Sequence, residues 1–443
     1  MIQINARYQK SFIRGILAAL ALFVILTASA ACRSSSIGST AESPAESASR
    51  KQPDGMPAYP GEFSLVSDEP IGPENDRGDD LYYRFISLLY PFSSLDPENF
   101  HIGGQVCDPV VLFEDGKYKM WFSGVKATPF DDSGGIRPDR GLFDEKAGQL
   151  IVQGIAYSES VDGLNWTDTK DRDQMIRLIL EPEDGDWDKA GYETPCVIRN
   201  YETGEYYMYY TGKSRKDDGS NYFSGIGMAV STDGISWEKI GHPVIEAEFI
   251  WETEYSDLEF FRNSDRSASA GGILEPAVLY DEKDGLYKMW YAAMGFSDPS
   301  DATSWDVRMG YAESEDGINW VKKTTDPIFE RGEAGSWDSS WASHYHVVKD
   351  PYEGFHLFYA GSDGDSSYAI GHAYSTDGIH WIRNANNPVF SNSPGSWHEA
   401  MTGGPSVMIL ENAFHMFFFG SKREDFTGVY FGYLKAPYVT SRD

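Results

Sequence analysis

Short apolar runs separated by Asp-Gly or Glu-Gly turns recur along most of this chain. Four aromatic runs set the pattern: "YKMWFSG" (118–124), "YYMYYTG" (206–212), "YKMWYAA" (287–293) and "FHLFYAG" (355–361). A fifth, "FHMFFFG" (414–420), follows them. The first four are followed by a second apolar run, such as "GIAYSES" (154–160) or "GIGMAVS" (225–231). These four units then end on "SVDGLNW" (160–166), "STDGISW" (231–237), "SEDGINW" (314–320) and "STDGIHW" (375–381). The fifth aromatic run leads instead to "GVYFGYL" (428–434).

Runs of this length, bounded by hairpin turn signals, predict about four short antiparallel strands per unit. The aromatic runs are apolar at successive positions instead of alternating, so both faces of each sheet are expected to be covered. Small sheets stacked on one another around an axis make a β-propeller. The expected fold is all-β: a five-bladed β-propeller with four-stranded antiparallel blades, in a domain spanning 105–443 with its blades at about 105–437. An open solenoid is disfavoured because no polar capping unit is visible. In the S-x-D-G-x-x-W endings, Asp and Gly are expected to form the turn and Trp to pack between blades, so Asp162, Asp233, Asp316 and Asp377 are not site candidates. The sialidase Asp box, with one more residue between Asp and Gly, is only loosely similar.

The N-terminus departs from the repeat. Arg7, Lys10 and Arg14 precede the apolar "GILAALALFVILTASAA", and small residues lead to Cys32. This is the layout of an export signal ending at a lipoprotein-type cleavage site (1–32), with Cys32 as the expected lipidation site and an envelope or secreted location. Residues 33–60 are rich in Ser, Ala, Glu and Pro and are expected to be a flexible tether. Residues 61–104 do not match the repeat. Their "DDLYYRFISLLYPF" has helix-like apolar spacing, and the segment is expected to pack on the propeller. Insertions at 125–150 and 246–270 lengthen loops that commonly shape a pocket. With Cys32 lipidated, Cys107 and Cys196 remain, either paired or as two buried thiols.

Composition narrows the ligand. Asp plus Glu number 68 against 37 Lys plus Arg, a formal net charge of −31. That field repels nucleic acid and anionic lipid, so contact with a membrane is expected only through an anchor at Cys32. A neutral carbohydrate meets no such penalty. A monomer is expected.

The candidate chemistry sits at the starts of the inner strands, "CDPVV", "ETPCV", "LEPAV", "SHYHV" and "GGPSV". Inner strands line the channel of a propeller, so these positions converge near its axis. Asp108, Glu193 and Glu275 bring three carboxylates there. Like charges gathered in one place are costly unless paired, used or metal-bound. Glycosidic bond cleavage needs such a set, with one carboxylate ionised as base or nucleophile and another holding a proton for the leaving oxygen. His344 and His346 enter from the fourth blade as candidate substrate-binding residues. No dense Asp/Asn loop with calcium spacing is present, and no cofactor is firmly implied, although a channel-bound calcium or other cation is compatible with the acidic set.

On these motifs the repeat region, about three quarters of the chain, resembles the five-bladed propeller glycoside hydrolases of families 43 and 62 and of families 32 and 68. The resemblance implies that Asp108, in the Asp-Pro of the first blade, is base or nucleophile. It also implies a general acid in a Glu-x-Pro pattern, which Glu193 matches by spacing, whereas Glu275 matches by blade order. Both stand as candidates for the acid, with the other in support. The Asp that tunes the acid in those families has no clear counterpart. A non-catalytic carbohydrate-binding propeller is one alternative function. A phosphorylase of the family 130 type is another; it would need cations for phosphate, and only Arg262, Arg266 and Arg308 in nearby loops are candidates.

Overall fold

The structure is a computed structural model that describes residues 57–71, 106–129, 139–144, 148–167, 176–200, 202–215, 222–253, 272–298, 300, 304–364, 368–421 and 429–440. Five antiparallel sheets form the blades. Their inner strands are Val106–Glu114, Gly191–Arg199, Ile273–Asp281, Trp341–Lys349 and Met401–Leu410. Each inner strand packs beside the next, and the fifth returns to the first, which closes the ring. Apart from one 3-10 turn at Ile250–Glu252, the described residues contain only strands and their connections. The fold is the all-β five-bladed propeller expected from the repeat.

Within blades one to four the four main strands run outward from the axis in chain order, each paired with the main strand before it. The first hairpin turn shows why Asp-Gly is used. Asp115 and Gly116 both have positive φ, 53° and 74°, as a two-residue turn between right-twisted strands requires. The 125–150 insertion extends this blade: Lys117–Pro129 pairs with Gln149–Ser160 as far as Pro129 opposite Gln149. Leu142–Asp144 adds a further strand on the outer side. Blade five closes differently. Its outer strand, Val429–Thr440, is paired by Ala58–Pro60 and Ser64–Leu65 from the N-terminal end of the chain. The expected tether therefore gives way to blade structure at Ala58, before residue 60. Ile71 also bridges to Phe431, so the described part of segment 61–104 lies against blade five. The remainder of that segment, the export signal with Cys32, Arg262 and Arg266 all lie outside the described residues.

The four Ser-x-Asp-Gly endings fold alike. In the second, Asp233 Oδ1 accepts the amides of Ile235 (2.8 Å) and Ser236 (2.7 Å), and Ser231 Oγ donates to the same oxygen at 2.9 Å. Gly234, at φ 76°, supplies the left-handed step. The same glycine offers its carbonyl to Trp121 Nε1 of the previous blade at 2.7 Å. Tyr209 binds Gly317, and Trp290 binds Gly378, in the same way at 2.7 Å. The turn is thus a latch between neighbouring blades. The terminal Trp residues pack across that boundary too, Trp320 against Tyr209 and Trp381 against Trp290.

Candidate active site

All five inner strands carry a bulge at the same height. Two residues face one on the second strand at 108–109, 194–195, 275–276, 344–345 and 404–405. The first residue of each bulge has left-handed φ: Asp108 51°, Thr194 48°, Glu275 53°, His344 51° and Gly404 54°. Four of these are not glycine, and each such residue costs on the order of 1 kcal/mol or more. Proline follows in four bulges and tolerates the position because the second residue makes no ladder bond there. The bulge re-aims the side chain, and the five positions line one end of the central channel. Gly404 brings no side chain because there is no room for one: a Cβ there would lie 2.4 Å from the Phe419 ring.

Hydroxyls from the second strands tie this ring together. Ser123 Oγ donates to Asp108 Oδ2 at 2.8 Å and accepts the Thr194 amide at 2.9 Å. Thr211 Oγ1 accepts the Glu275 amide at 2.8 Å and meets Thr194 Oγ1 at 2.5 Å. Glu275 Oε2 in turn accepts the His344 amide at 2.7 Å and the Ser343 hydroxyl.

His344 stands between two carboxylates, with Nε2 3.5 Å from Asp108 Oδ1 and 3.6 Å from Glu275 Oε1. Burial alone would lower its pKa, but Glu275 and Asp108 outweigh burial and push it up to about 9. Burial likewise works to raise the Asp108 carboxyl. The hydrogen bond and charge of His344, with donors from Cys107 and Ser123, prevail and hold it below the usual carboxylate range. Asp108 is therefore ionised across the neutral range.

Glu193 is placed differently. It precedes the bulge position, where Thr194 sits, and its side chain has no exposure to solvent. Glu193 Oε2 is paired with Lys213 Nζ and accepts Gln153 Nε2 at 3.2 Å. Lys213 also donates to Gln153 Oε1 at 2.9 Å, while Glu193 Oε1 is buried with no partner. Burial, joined by repulsion from Asp108 and Glu275, exceeds the pull of Lys213 and raises the Glu193 carboxyl to about 8. Burial also lowers the Lys213 ammonium. One set of carboxylates thus contains an anion at Asp108 and a proton-holding group at Glu193, the division that acid–base catalysis uses.

The structure accordingly brings Asp108, Glu275 and His344 to the channel end, whereas Glu193, expected there too, lies fully buried within electrostatic reach of Asp108 and Glu275, and Thr194 takes its place in the lining. His346 lines the same channel but has its Nε2 tied to the Val407 carbonyl at 3.0 Å, and burial lowers it to about 4. Cys107 and Cys196 are two buried thiols that are not joined in a disulfide. Trp187, Trp337 and Trp397 lie over glycines of their own blades. Trp187 covers Gly212, Trp337 covers Gly361 and Gly371, and Trp397 covers Gly420 and Gly432. Sequence reasoning passed over Lys213, Gln153, Ser123, Thr211 and Ser343. The one available signal was Lys213, the first charge after an uncharged run from Tyr206 to Gly212. Among the described residues, no group of three or more His, Cys, Asp or Glu side chains is arranged to hold a metal ion.

No family model matches the chain. An uncharacterized protein of Mycobacterium tuberculosis is 27% identical over 232 residues, 52% of this chain and 67% of that protein. A β-1,2-mannobiose phosphorylase of Thermoanaerobacter is 27% identical over 152 residues, 32% of this chain and 41% of the enzyme. Among solved structures, one described as showing that family 130 of mannoside phosphorylases contains glycoside hydrolases targeting β-1,2 mannosidic linkages in Candida mannan superposes with a TM-score of 0.53. It is 16% identical and covers 88% of this chain and 96% of its own. A glycoside hydrolase gives 0.52 at 17% identity, covering 75% and 87%. The Listeria innocua β-1,2-mannobiose phosphorylase, in complex with β-1,2-mannobiose, gives 0.51 at 13%, covering 78% and 93%. At these identities the likeness is one of fold, and the fold of this chain is the propeller of known glycoside hydrolases and mannoside phosphorylases.

Proposed function

We propose that this protein is a glycoside hydrolase in which Glu193 is the general acid and Asp108 the ionised base or nucleophile. The observation that carries the reading is the opposite treatment of two carboxyls on adjacent inner strands. Asp108 is held as an anion by His344, Cys107 and Ser123, whereas burial keeps the proton on Glu193. In such a site Glu193 gives its proton to the leaving glycosidic oxygen. Asp108 either takes a proton from the attacking water or itself attacks the anomeric carbon. Glu275 is the weaker candidate for the acid. Its Oε2 is occupied by the Ser343 hydroxyl and the His344 amide, and its Oε1 faces the His344 ring, so it serves to position His344.

The match to a mannobiose phosphorylase favours a second reading, phosphorolysis. Against it, the described cations are already engaged: His344, on the channel, stands between Asp108 and Glu275, and Arg308 lies on the strand Trp305–Ser314 and not in a loop. Lys213 is paired with Glu193, and Arg308 donates to Glu330, the Gly295 carbonyl and the Ser304 carbonyl. Hydrolysis is therefore preferred, with β-1,2-linked mannosides heading the substrate panel because the Thermoanaerobacter relative is named a β-1,2-mannobiose phosphorylase. Export with lipid attachment at Cys32 belongs to the same proposal and suits an enzyme that meets glycans outside the cytoplasm. The test is turnover of aryl glycosides and oligosaccharides with and without phosphate. Turnover abolished by Asp108→Asn supports the reading; binding without turnover would leave a carbohydrate-binding propeller, and strict phosphate dependence a phosphorylase.

A further inference from the structure

Lys213 and Gln153 break the repeat at the positions that face Glu193. The second-strand places equivalent to Lys213 hold Val125, Met294, Ser362 and Ser421. The third-strand partners of this row are Gln153, Ser224, Val307 and Val429 in blades one, two, three and five. The places equivalent to Glu193 hold Cys107, Leu274, Ser343 and Gly403. Three changes from the blade pattern, on three strands of two blades, meet at one carboxyl group. A lysine buried against a buried carboxyl is weak support for a fold, since the cost of desolvating them offsets their attraction. Its presence here calls for a role at the site.

We propose that Lys213 and Gln153 are a positioning pair for Glu193, gripping Oε2 so that Oε1 is the oxygen left to exchange a proton with substrate; this rests on the reading of Glu193 as the acid. The geometry is a closed triangle. Lys213 Nζ contacts Glu193 Oε2 and Gln153 Oε1, and Gln153 Nε2 returns to the same Glu193 oxygen. Every hydrogen bond to the carboxyl falls on Oε2, and Oε1 is buried and unpartnered. The other charged groups acting on Glu193 are Asp108 and Glu275 from the flanking inner strands, with His344 beyond them. Cys107 and Asp108 act on Lys213. Of these partners, Lys213 opposes the proton and the two carboxylates favour it. Removing the lysine charge therefore moves Glu193 titration upward.

The test reads Glu193 directly by an infrared pH titration of the full chain. The protonated carboxyl band of Glu193 is the one lost in Glu193→Gln. In Lys213→Met, and in Lys213→Gln, which retains a hydrogen-bonding group should the first variant not fold, the midpoint of that band is expected to rise by ~1 pH unit or more. Gln153→Leu is expected to lower kcat by ~10-fold or more while moving the midpoint by less than the lysine variants do. A midpoint unmoved in both folded lysine variants would overturn the proposal, as would full kcat in Gln153→Leu. If wild-type protein turns over no glycoside and the midpoint still shifts, the control of Glu193 by Lys213 stands and the hydrolase reading fails.

Discussion

Asp108 and Thr194, on neighbouring blades, are joined through a single hydroxyl: Ser123 Oγ donates to the Asp108 carboxylate and accepts the Thr194 amide. This bond fixes the anion and the backbone beside Glu193 in one frame. Ser123→Ala removes a donor from Asp108 and leaves a buried amide unpaired, at a cost of about 1–3 kcal/mol. The Asp108 carboxyl also titrates higher, so the acid limb of the kcat/KM profile moves up in pH. Chemical denaturation and the pH profile of the variant check the two effects.

The charge on His344 makes stability depend on pH. Its folded pKa of about 9 lies above the ordinary 6.5, so the folded protein holds a proton the unfolded chain has released between these values. The contribution is complete below about pH 6.5 and disappears as pH rises through about 9. In size it is on the order of 3 kcal/mol. The stability difference between wild type and His344→Gln, followed by urea denaturation from pH 5 to 10, is expected to shrink across that window. A difference that stays constant with pH would mean that folding leaves the His344 pKa where it is in the unfolded chain.

The Asp-Gly turns serve the scaffold. Asp233→Ala removes the acceptor for two amides and a hydroxyl at a latch bonded by Trp121 of the preceding blade. The expected loss is ~1–2 kcal/mol of stability with kcat unchanged for the folded fraction. Thermal denaturation beside kinetics at a permissive temperature checks it.

How far the sequence exposed this site depends on where each residue sits in the repeat. Asp108, Glu275 and His344 were legible because they occupy one place in a pattern whose other places are nearly constant. Glu193 was legible by its spacing to Pro195, although Thr194 takes the bulge position itself. The bulge was not legible, because left-handed backbone at Asp, Thr, Glu and His has no residue signature of the kind glycine provides. Lys213 and Gln153 escaped because a second or third strand buried on both faces has no alternation to show which side chains reach the axis. The closing strand Ala58–Pro60 is three residues long and borders a Ser/Pro-rich segment, so only its partner Val429–Thr440 reveals it.

The proposed lipid anchor is tested at Cys32. Expression in a bacterial host is expected to place the wild-type protein in the membrane fraction with incorporated labelled fatty acid. Cys32→Ser is expected to lose the label and release the protein from that attachment. Label retained in the variant would move the anchor elsewhere.

The assignment of Glu193 as proton donor is tested most directly by leaving-group dependence. For Glu193→Gln, hydrolysis of glycosides with poor, alcohol-like leaving groups is expected to fall by about 10²–10⁴-fold. A dinitrophenyl glycoside, whose leaving group needs no proton, should be cleaved at nearly the wild-type rate for the bond-breaking step. Glu275→Gln should lower both classes together. The reverse pattern, with leaving-group dependence appearing in Glu275→Gln and absent in Glu193→Gln, would contradict the account.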